Sequence, residues 1–548
     1  MIHNRTQTRS PRDGSILLVV LVTVAVLALS VLSFSSLMLV EEEAARVMTR
    51  RIQSKYLVDS GMEYTRLYLA RPEAEIFEAG GLWDNEESFR GVAAVADVNN
   101  PQRNASIGRF TLVAPSLNDD GQPEGTRYGV VNESTKININ VLPYYDYYDL
   151  LREEEATTGR DILLGLPNMT EDIADAILDF IDMDNERREF GAESSHYSGL
   201  TPAYAAKNGP LDSIEELLLI RDVTPELLFG LDTNRNGVLD DEEAALGDVS
   251  LTEAESVLGW ANYLTLYSKE SNLTPEGIQK ININSEDLDQ LYDDLQSVFN
   301  DDWANFILMA RLGATDMAAQ VPQGEEGDGD GDEEIEFVGA SQFQFEIPED
   351  AESDPAFTFD TIIDIMDWVF IETDDEGNTI YIESPLQLAG VSLNLAMESL
   401  TIYEGLSVPG RINIRQAPRA VLAGIPGLGD NEELLQTIID NREIVLDDPE
   451  LTDQHRKFET FLLVEGMVDF QTMRLLMPYI CAGGSVYRAE IVGYFGDGRG
   501  TSRAEMVFDT TSPVPQILLW RDKSHLQTGY SIEALGSELE AIGSQLDR

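Results

Sequence analysis

The sequence predicts an α+β protein: a long N-terminal helix, half in a membrane and half laid on a small antiparallel sheet, with mainly helical sequence between the first strands and the last. Three observations predict it. Residues 15–40, SILLVVLVTVAVLALSVLSFSSLMLV, hold no charge, Pro or Gly, and roughly 20 apolar residues span a bilayer as a helix. Strand-like runs stand at both ends of the remainder, RFTLVAP and RYGVVNESTKININVL early, SVYRAEIVGYFG and SRAEMVFDT late, the last two forming a hairpin around GDGRG. Between them KINI at 136–139 recurs at 280–283 and, as RINI, at 411–414, each time followed by helical sequence.

Arg5, Arg9 and Arg12 precede the apolar run and Glu41, Glu42 and Glu43 follow it, so the positive-inside bias leaves the short N-terminus in the cytoplasm and the bulk of the chain outside. The helix continues through 41–70 with Met48, Ile52, Tyr56, Leu67 and Tyr68 as its expected apolar stripe, and Pro72 closes it. Gly14 ends the basic leader at the inner edge of the run. That arrangement resembles the type IV pilin-like signal, which a prepilin peptidase cuts between Gly14 and Ser15, leaving the membrane helix in the mature chain. An ordinary uncut anchor is the alternative.

A chain of 548 residues needs two to four domains outside the membrane. Its net charge of −62, from 99 acidic and 37 basic residues, repels phosphate backbones and argues against nucleic-acid binding. Cys481 is the single cysteine, which excludes an intrachain disulfide and a thiolate metal cluster. Four histidines and no nucleophile-elbow, P-loop or HExxH motif make an enzyme improbable. The pieces GLPNMTEDIADAIL and GIPGLGDNEELLQTII look like helix-hairpin-helix units, yet their acidity favours a packing role over DNA binding.

The richest local pattern is DTNRNGVLDDEE at 232–243. Asp232, Asn234, Asn236, Asp240 and Glu243 occupy positions one, three, five, nine and twelve of an EF-hand-type loop, Val238 offers its carbonyl at seven, and Gly237 stands at six. Calcium takes six to eight such oxygens. The weak flanking helices predict a structural site, not one that opens. An earlier acidic cluster contains Asp179, Asp182, Asp184 and Glu193. Carboxylates at a helix exit meet the negative end of its dipole, so Asp182, Asp184 and Glu193 call for a cation, or for compensation by Arg187 and Arg188. Residues 321–337, VPQGEEGDGDGDEEIEF, read as an acidic linker.

Taken together, Gly14 with its apolar helix, VVNESTKININ, the block from Ile177 to Leu217, RINIRQAPRAVLAGIPGLG and the C-terminal hairpin resemble the minor pseudopilin K family of bacterial type II secretion systems. The resemblance implies a pilin-like fold with a large helical domain inserted into it, calcium in the extracytoplasmic part, and a place at the pseudopilus tip with the I- and J-type minor pseudopilins. It also implies contact with the major pseudopilin, the inner-membrane assembly platform and prepilin peptidase, and a single pass through the inner membrane with the bulk in the periplasm. The implied division is a leader at 1–14, a transmembrane helix at 15–40, pilin-like helix and first strands at 41–140, an inserted helical domain at 141–320, the linker at 321–337, a second helical region at 338–480, a C-terminal hairpin at 481–530 and a tail at 531–548. Most pilin-like subunits carry Glu at the fifth mature position to neutralise a neighbour's terminal amine, and here that position is Val19. A subunit without that carboxylate suits a place above all others. The competing readings are a membrane-anchored extracytoplasmic calcium-binding scaffold or adhesion protein, and a helix-hairpin-helix DNA-uptake protein.

Overall fold

A single helix, α1 (Asp13–Leu69), carries the chain from the apolar run onto the sheet. The computed structural model describes residues 13–95, 107–118, 121, 123–151, 155–240, 243–245, 258–312, 317–318, 337–342, 357–373, 379–388, 391–442, 456–496, 500–526 and 528–536. The leader through 12, linker positions 321–336 and tail positions 537–548 lie outside them. The first part of α1 is long and apolar enough to cross a membrane and is wholly exposed.

The second half of α1 lies on a seven-stranded sheet made of β1 (Val92–Val95), β2 (Gly108–Leu117), β3 (Pro123–Arg127), β4 (Val131–Asn132), β5 (Val486–Phe495), β6 (Ser502–Asp509) and β7 (Gln516–Asp522). Its order is β1-β2-β5-β6-β7, with β3 also on β2 and β4 also on β5, and every pair is antiparallel. The C-terminal hairpin is therefore β5 and β6, and it pairs with a strand from the start of the chain. RYGVVNESTKININVL is not one strand. Asn132 and Asn138 side chains accept N–H bonds from Ser134 and Asn140 and turn the chain into short 3-10 segments.

The helix buries a different stripe from the one its large apolar residues mark. Met48, Ile52, Tyr56 and Leu67 are exposed, while Ser54, Leu57, Val58, Thr65, Tyr68 and Leu69 are buried. Small residues decide this. A Cβ on Gly61 would stand 2.7 Å from Ile491 Cγ2, and Ser54 Oγ meets Ser502 Oγ at 2.7 Å. The helix axis thus approaches the sheet closely over a core of Val58, Tyr68, Phe110, Leu112, Ile491 and Phe508. Leu535 closes the far end of that core, and its carbonyl accepts from the Thr111 hydroxyl at 2.8 Å and from Tyr494.

Between β4 and β5 the chain builds a second core, running from Ile137 to Ile480. The three INI segments have one structural role. Ile137–Asn138 pairs in parallel with Leu264–Thr265, Ile281–Asn282 with Leu400–Thr401, and Ile412–Asn413 with Ile480–Cys481. Each thus opens a stretch of helices that a short strand closes. The first stretch contains α2 (Leu142–Leu151), α3 (Thr158–Leu164) and α4 (Glu171–Ile181). The second contains α5 (Leu288–Val298) and α6 (Asp301–Arg311), and the third α7 (Arg419–Leu422) and α8 (Glu432–Asn441). The first and third stretches meet at glycines. A Cβ on Gly165 would lie 2.5 Å from the Gly424 nitrogen, and one on Gly424 would lie 2.2 Å from the Ile162 carbonyl.

Candidate functional site

Helix α4 starts where Thr170 accepts the Ile173 N–H and places Glu171 and Asp172 in the first turn, both favourable at a helix N-terminus. It ends at Asp182, and Asp179 stands three residues earlier on the same face. The chain then returns over this face through Gly191, where a Cβ would lie 2.0 Å from Asp179 Oδ2, and delivers Glu193 as the cap of the short helix Ser194–Tyr197. As a result Asp179, Asp182 and Glu193 each offer an oxygen within 4.8 Å of the others, and all three residues are buried.

Asp179 Oδ2, Asp182 Oδ1 and Glu193 Oε1 are buried without a hydrogen-bond partner. Leaving such groups unpaired is costly. Burial pushes the Asp179 carboxyl up to about 6, the Asp182 carboxyl up to about 6 with Asp184 adding to it, and Glu193 upward as well. Arg188 answers part of this charge. Its guanidinium is 2.9 Å from Asp146, 3.5 Å from Asp179 and 3.8 Å from Asp182. One cation facing Asp146, Asp179, Asp182 and Glu193 leaves the cluster negative, and three orphaned oxygens in reach of one point are a donor set for a hard divalent ion. The expected ligands Asp182 and Glu193 are in place. Asp184, expected with them, is exposed and accepts the Glu186 N–H at 2.7 Å, which fastens its carboxylate to its own turn. Asp179 takes the inner position because it lies inside the helix and not beyond it.

At its described positions, 232–240 and 243, the EF-hand-type loop turns at Gly237 as its spacing predicts. Gly237 has φ 73°, and the Asp232 carboxylate accepts the N–H groups of Asn236 at 3.0 Å and Gly237 at 2.8 Å. Asn234 Nδ2 donates to Asp240 at 3.0 Å, and Glu243 accepts from Asn234 N at 3.1 Å and Asp240 N at 3.2 Å. Asp232, Asn234, Asn236 and Glu243 are buried, and Asn234 Oδ1 has no hydrogen-bond partner. Burial pushes Asp232 up to about 6 against the two backbone bonds that lower it. Val238 at position seven donates its N–H to Asn236 Oδ1 at 2.8 Å.

This loop is also a joint. Arg503 donates to the carbonyls of Asn234 and Arg235 at 2.8 Å each, Lys523 to that of Arg235 at 2.9 Å, and Asn236 Nδ2 to that of Gly529 at 2.6 Å. Sequence reasoning missed these sheet residues. Their signal was present: the strands alternate Arg488 and Glu490, then Arg503 and Glu505, a pattern that ordinarily marks a solvated face. Here that face is covered by the helical region. Arg503 pairs with Glu490, Lys523 with Glu490 and Glu505, and Arg488 with Glu133 and Glu505.

Residues 135–232 match the family described as type II secretion system (T2SS), protein K, in its first domain. No curated protein matches the chain. Among solved structures, the crystal structure of the GspK-GspI-GspJ complex from the enterotoxigenic Escherichia coli type 2 secretion system contains a similar chain. The two are 11% identical, the match covers 88% of this chain and 97% of that one, and the TM-score of 0.31 carries no argument. The family match spans α2, α3, α4 and the whole of the Asp179, Asp182 and Glu193 cluster. It bears out the likeness to protein K of that secretion system over this segment.

Proposed function

We propose that this type II secretion protein K chain is a non-enzymatic minor pseudopilin at the tip of the pseudopilus, where it helps start assembly and the export of folded proteins across the outer membrane. The family match at 135–232 carries the reading. An exposed apolar helix that runs without a break into the sheet supports it. The proposed partners are I- and J-type minor pseudopilins, with the major pseudopilin and the inner-membrane assembly platform below them. The proposed place is the inner membrane, crossed once by residues 15–40, with the sheet and helical region in the periplasm. The helix pairs α3 and α4, and α7 and α8, serve as helix-hairpin-helix-like packing units in this reading.

Calcium is the proposed ion. Asp179, Asp182 and Glu193 would hold one, with Asp184 beside them, and Asp232, Asn234, Asn236, Val238, Asp240 and Glu243 a second. The ion supplies positive charge to buried carboxylates and fixes the return of the chain after α4 and the loop between helical region and sheet. It has no part in bond-making.

Processing tests the pseudopilin reading against an ordinary anchor. In cells containing prepilin peptidase, the N-terminus of membrane-extracted protein is expected at Ser15. A chain that keeps Met1 there overturns the reading.

A further inference from the structure

We propose that the cavity between the sheet and the helical region is a binding site for a small dianion, with Lys136 as its main ligand. The cavity measures about 310 Å³ and is lined from both sides, by Val113, Arg127 and Arg488 of the sheet and by Ile214, Phe229 and Arg415 of the helical region. Eight Arg and Lys side chains border it against four carboxylates. That balance is the reverse of the chain as a whole, where acidic residues outnumber basic ones by 99 to 37.

Four of these eight cations are paired with carboxylates. Arg488 is held by Glu133 and Glu505, Lys523 by Glu490 and Glu505, and Arg521 and Arg235 by Glu215. Arg127 and Lys136 are not among them. Arg127 is buried, and its guanidinium donates only to the carbonyls of Pro115, Trp83 and Val130 while stacking on the Trp83 ring. Lys136 follows the 3-10 turn Glu133–Thr135, and among the described residues no carboxylate lies within ion-pair distance of its ammonium, which donates no hydrogen bond. Burial first, and then the neighbouring Arg488, lower the Lys136 pKa to about 8, and burial lowers that of Arg127 to about 9. Burial is the larger cause at both, and the nearby carboxylates, Glu133 and Glu505 at Lys136 and Asp84 at Arg127, offset it only in part.

An anion in this cavity would offset the rest. These two cations call for a doubly charged ligand, and tetrahedral oxyanions and short dicarboxylates have the charge and size. Because the cavity wall belongs to both the sheet and the helical region, such a ligand would fasten one to the other, beside the Asp232 loop.

The test is calorimetry on the full chain in detergent with calcium present, using sulfate and succinate as probes against chloride of equal ionic strength. The expected result is saturable binding of at least one probe, weakened at least about tenfold in Lys136→Met, the loss of one charge-assisted hydrogen bond, and restored in Lys136→Arg. Lys136→Gln, closer in polarity, serves if Lys136→Met shows no cooperative melting. No saturable heat with either probe on the wild-type chain overturns the proposal, and so does binding that survives unchanged in a folded Lys136 variant.

Discussion

Calcium added at neutral pH to chelator-stripped protein is expected to raise its melting temperature, and Asp179→Asn and Glu243→Gln are each expected to remove part of the rise. Asp179, Asp182 and Glu193 are buried with unpartnered oxygens. A bound ion stabilises the folded form by RT ln(1 + [L]/Kd), about 2.7 kcal/mol per site at a hundredfold excess over Kd. Asp179→Asn removes the inner carboxylate of the first site, and Glu243→Gln the closing carboxylate of the second. The sites share no ligand, so the two losses should add.

The response should also fade with acid. Asp179, Asp182 and Asp232 have folded pKa values of about 6 against an ordinary 3.8. A raised carboxyl takes up a proton on the folded side first, so acidification from about pH 6 toward 4 relieves the calcium-free fold relative to the unfolded chain. The same protons compete with the metal. Both effects shrink the gap between calcium and chelator as pH falls through 6. Identical melting curves in calcium and chelator at pH 7 would refute both sites, and a gap of constant size from pH 7 to 5 would refute carboxylate ligation.

Arg488→Met is expected to be the most damaging single substitution on the charged face of the sheet. Arg488 Nε and Nη2 meet the Glu133 carboxylate at 2.7 and 2.9 Å, and Nη1 meets Glu505. Glu133 is fully buried and Glu505 nearly so. Removing the cation leaves the buried Glu133 carboxylate without its ion pair and Glu505 with Lys523 alone, at a cost of about 3–5 kcal/mol. Burial raises the pKa of Glu133 and of Glu505, but the Arg488 charge, joined at Glu505 by Lys523, outweighs it and holds both below the ordinary 4.5. Their contribution is therefore complete above pH 4.5 and is lost as pH falls below it. Without Arg488 the Glu133 carboxyl shifts upward and Glu505 is held down chiefly by Lys523, so the difference between wild type and Arg488→Met narrows in acid. Adding Glu133→Gln and Glu505→Gln to the variant should recover most of the loss. Denaturant titrations of the three proteins at pH 7 and 5 check this, and an Arg488→Met variant as stable as wild type at pH 7 would contradict it.

What the sequence disclosed was local. An apolar run without a charge, alternation across a Gly-rich turn, and six ligand types at EF-hand spacing each declare themselves within a dozen or two residues, and α1, the β5–β6 hairpin and the loop at 232–243 follow them. Asp182 and Asp184 were legible as a pair of acids at a helix exit, with Asp179 and Glu193 in the same cluster. Asp184 is exposed, and sequence distance from the exit does not tell which carboxylate faces inward. The buried stripe of α1 was hidden because Ser54 and Gly61 carry no hydrophobic signal. Close approach to the sheet selects small residues there, while Met48, Ile52 and Tyr56 remain outside. The charged sheet face was hidden for a similar reason: Arg488, Glu490, Arg503 and Glu505 read as solvated until a region several hundred residues away in sequence is laid over them. KINI was recognised as a repeat, but the strands that close each unit, LT at 264–265 and 400–401 and IC at 480–481, are too short to declare themselves.

The central claim is that this chain assembles with other pseudopilins. Its most direct test is to tag the chain in its native host, extract the membranes with mild detergent in calcium, and identify what remains bound. The account predicts stoichiometric recovery of I- and J-type minor pseudopilins, processed and in complex with the tagged chain. A tagged chain recovered intact and folded without any pilin-like partner would contradict it.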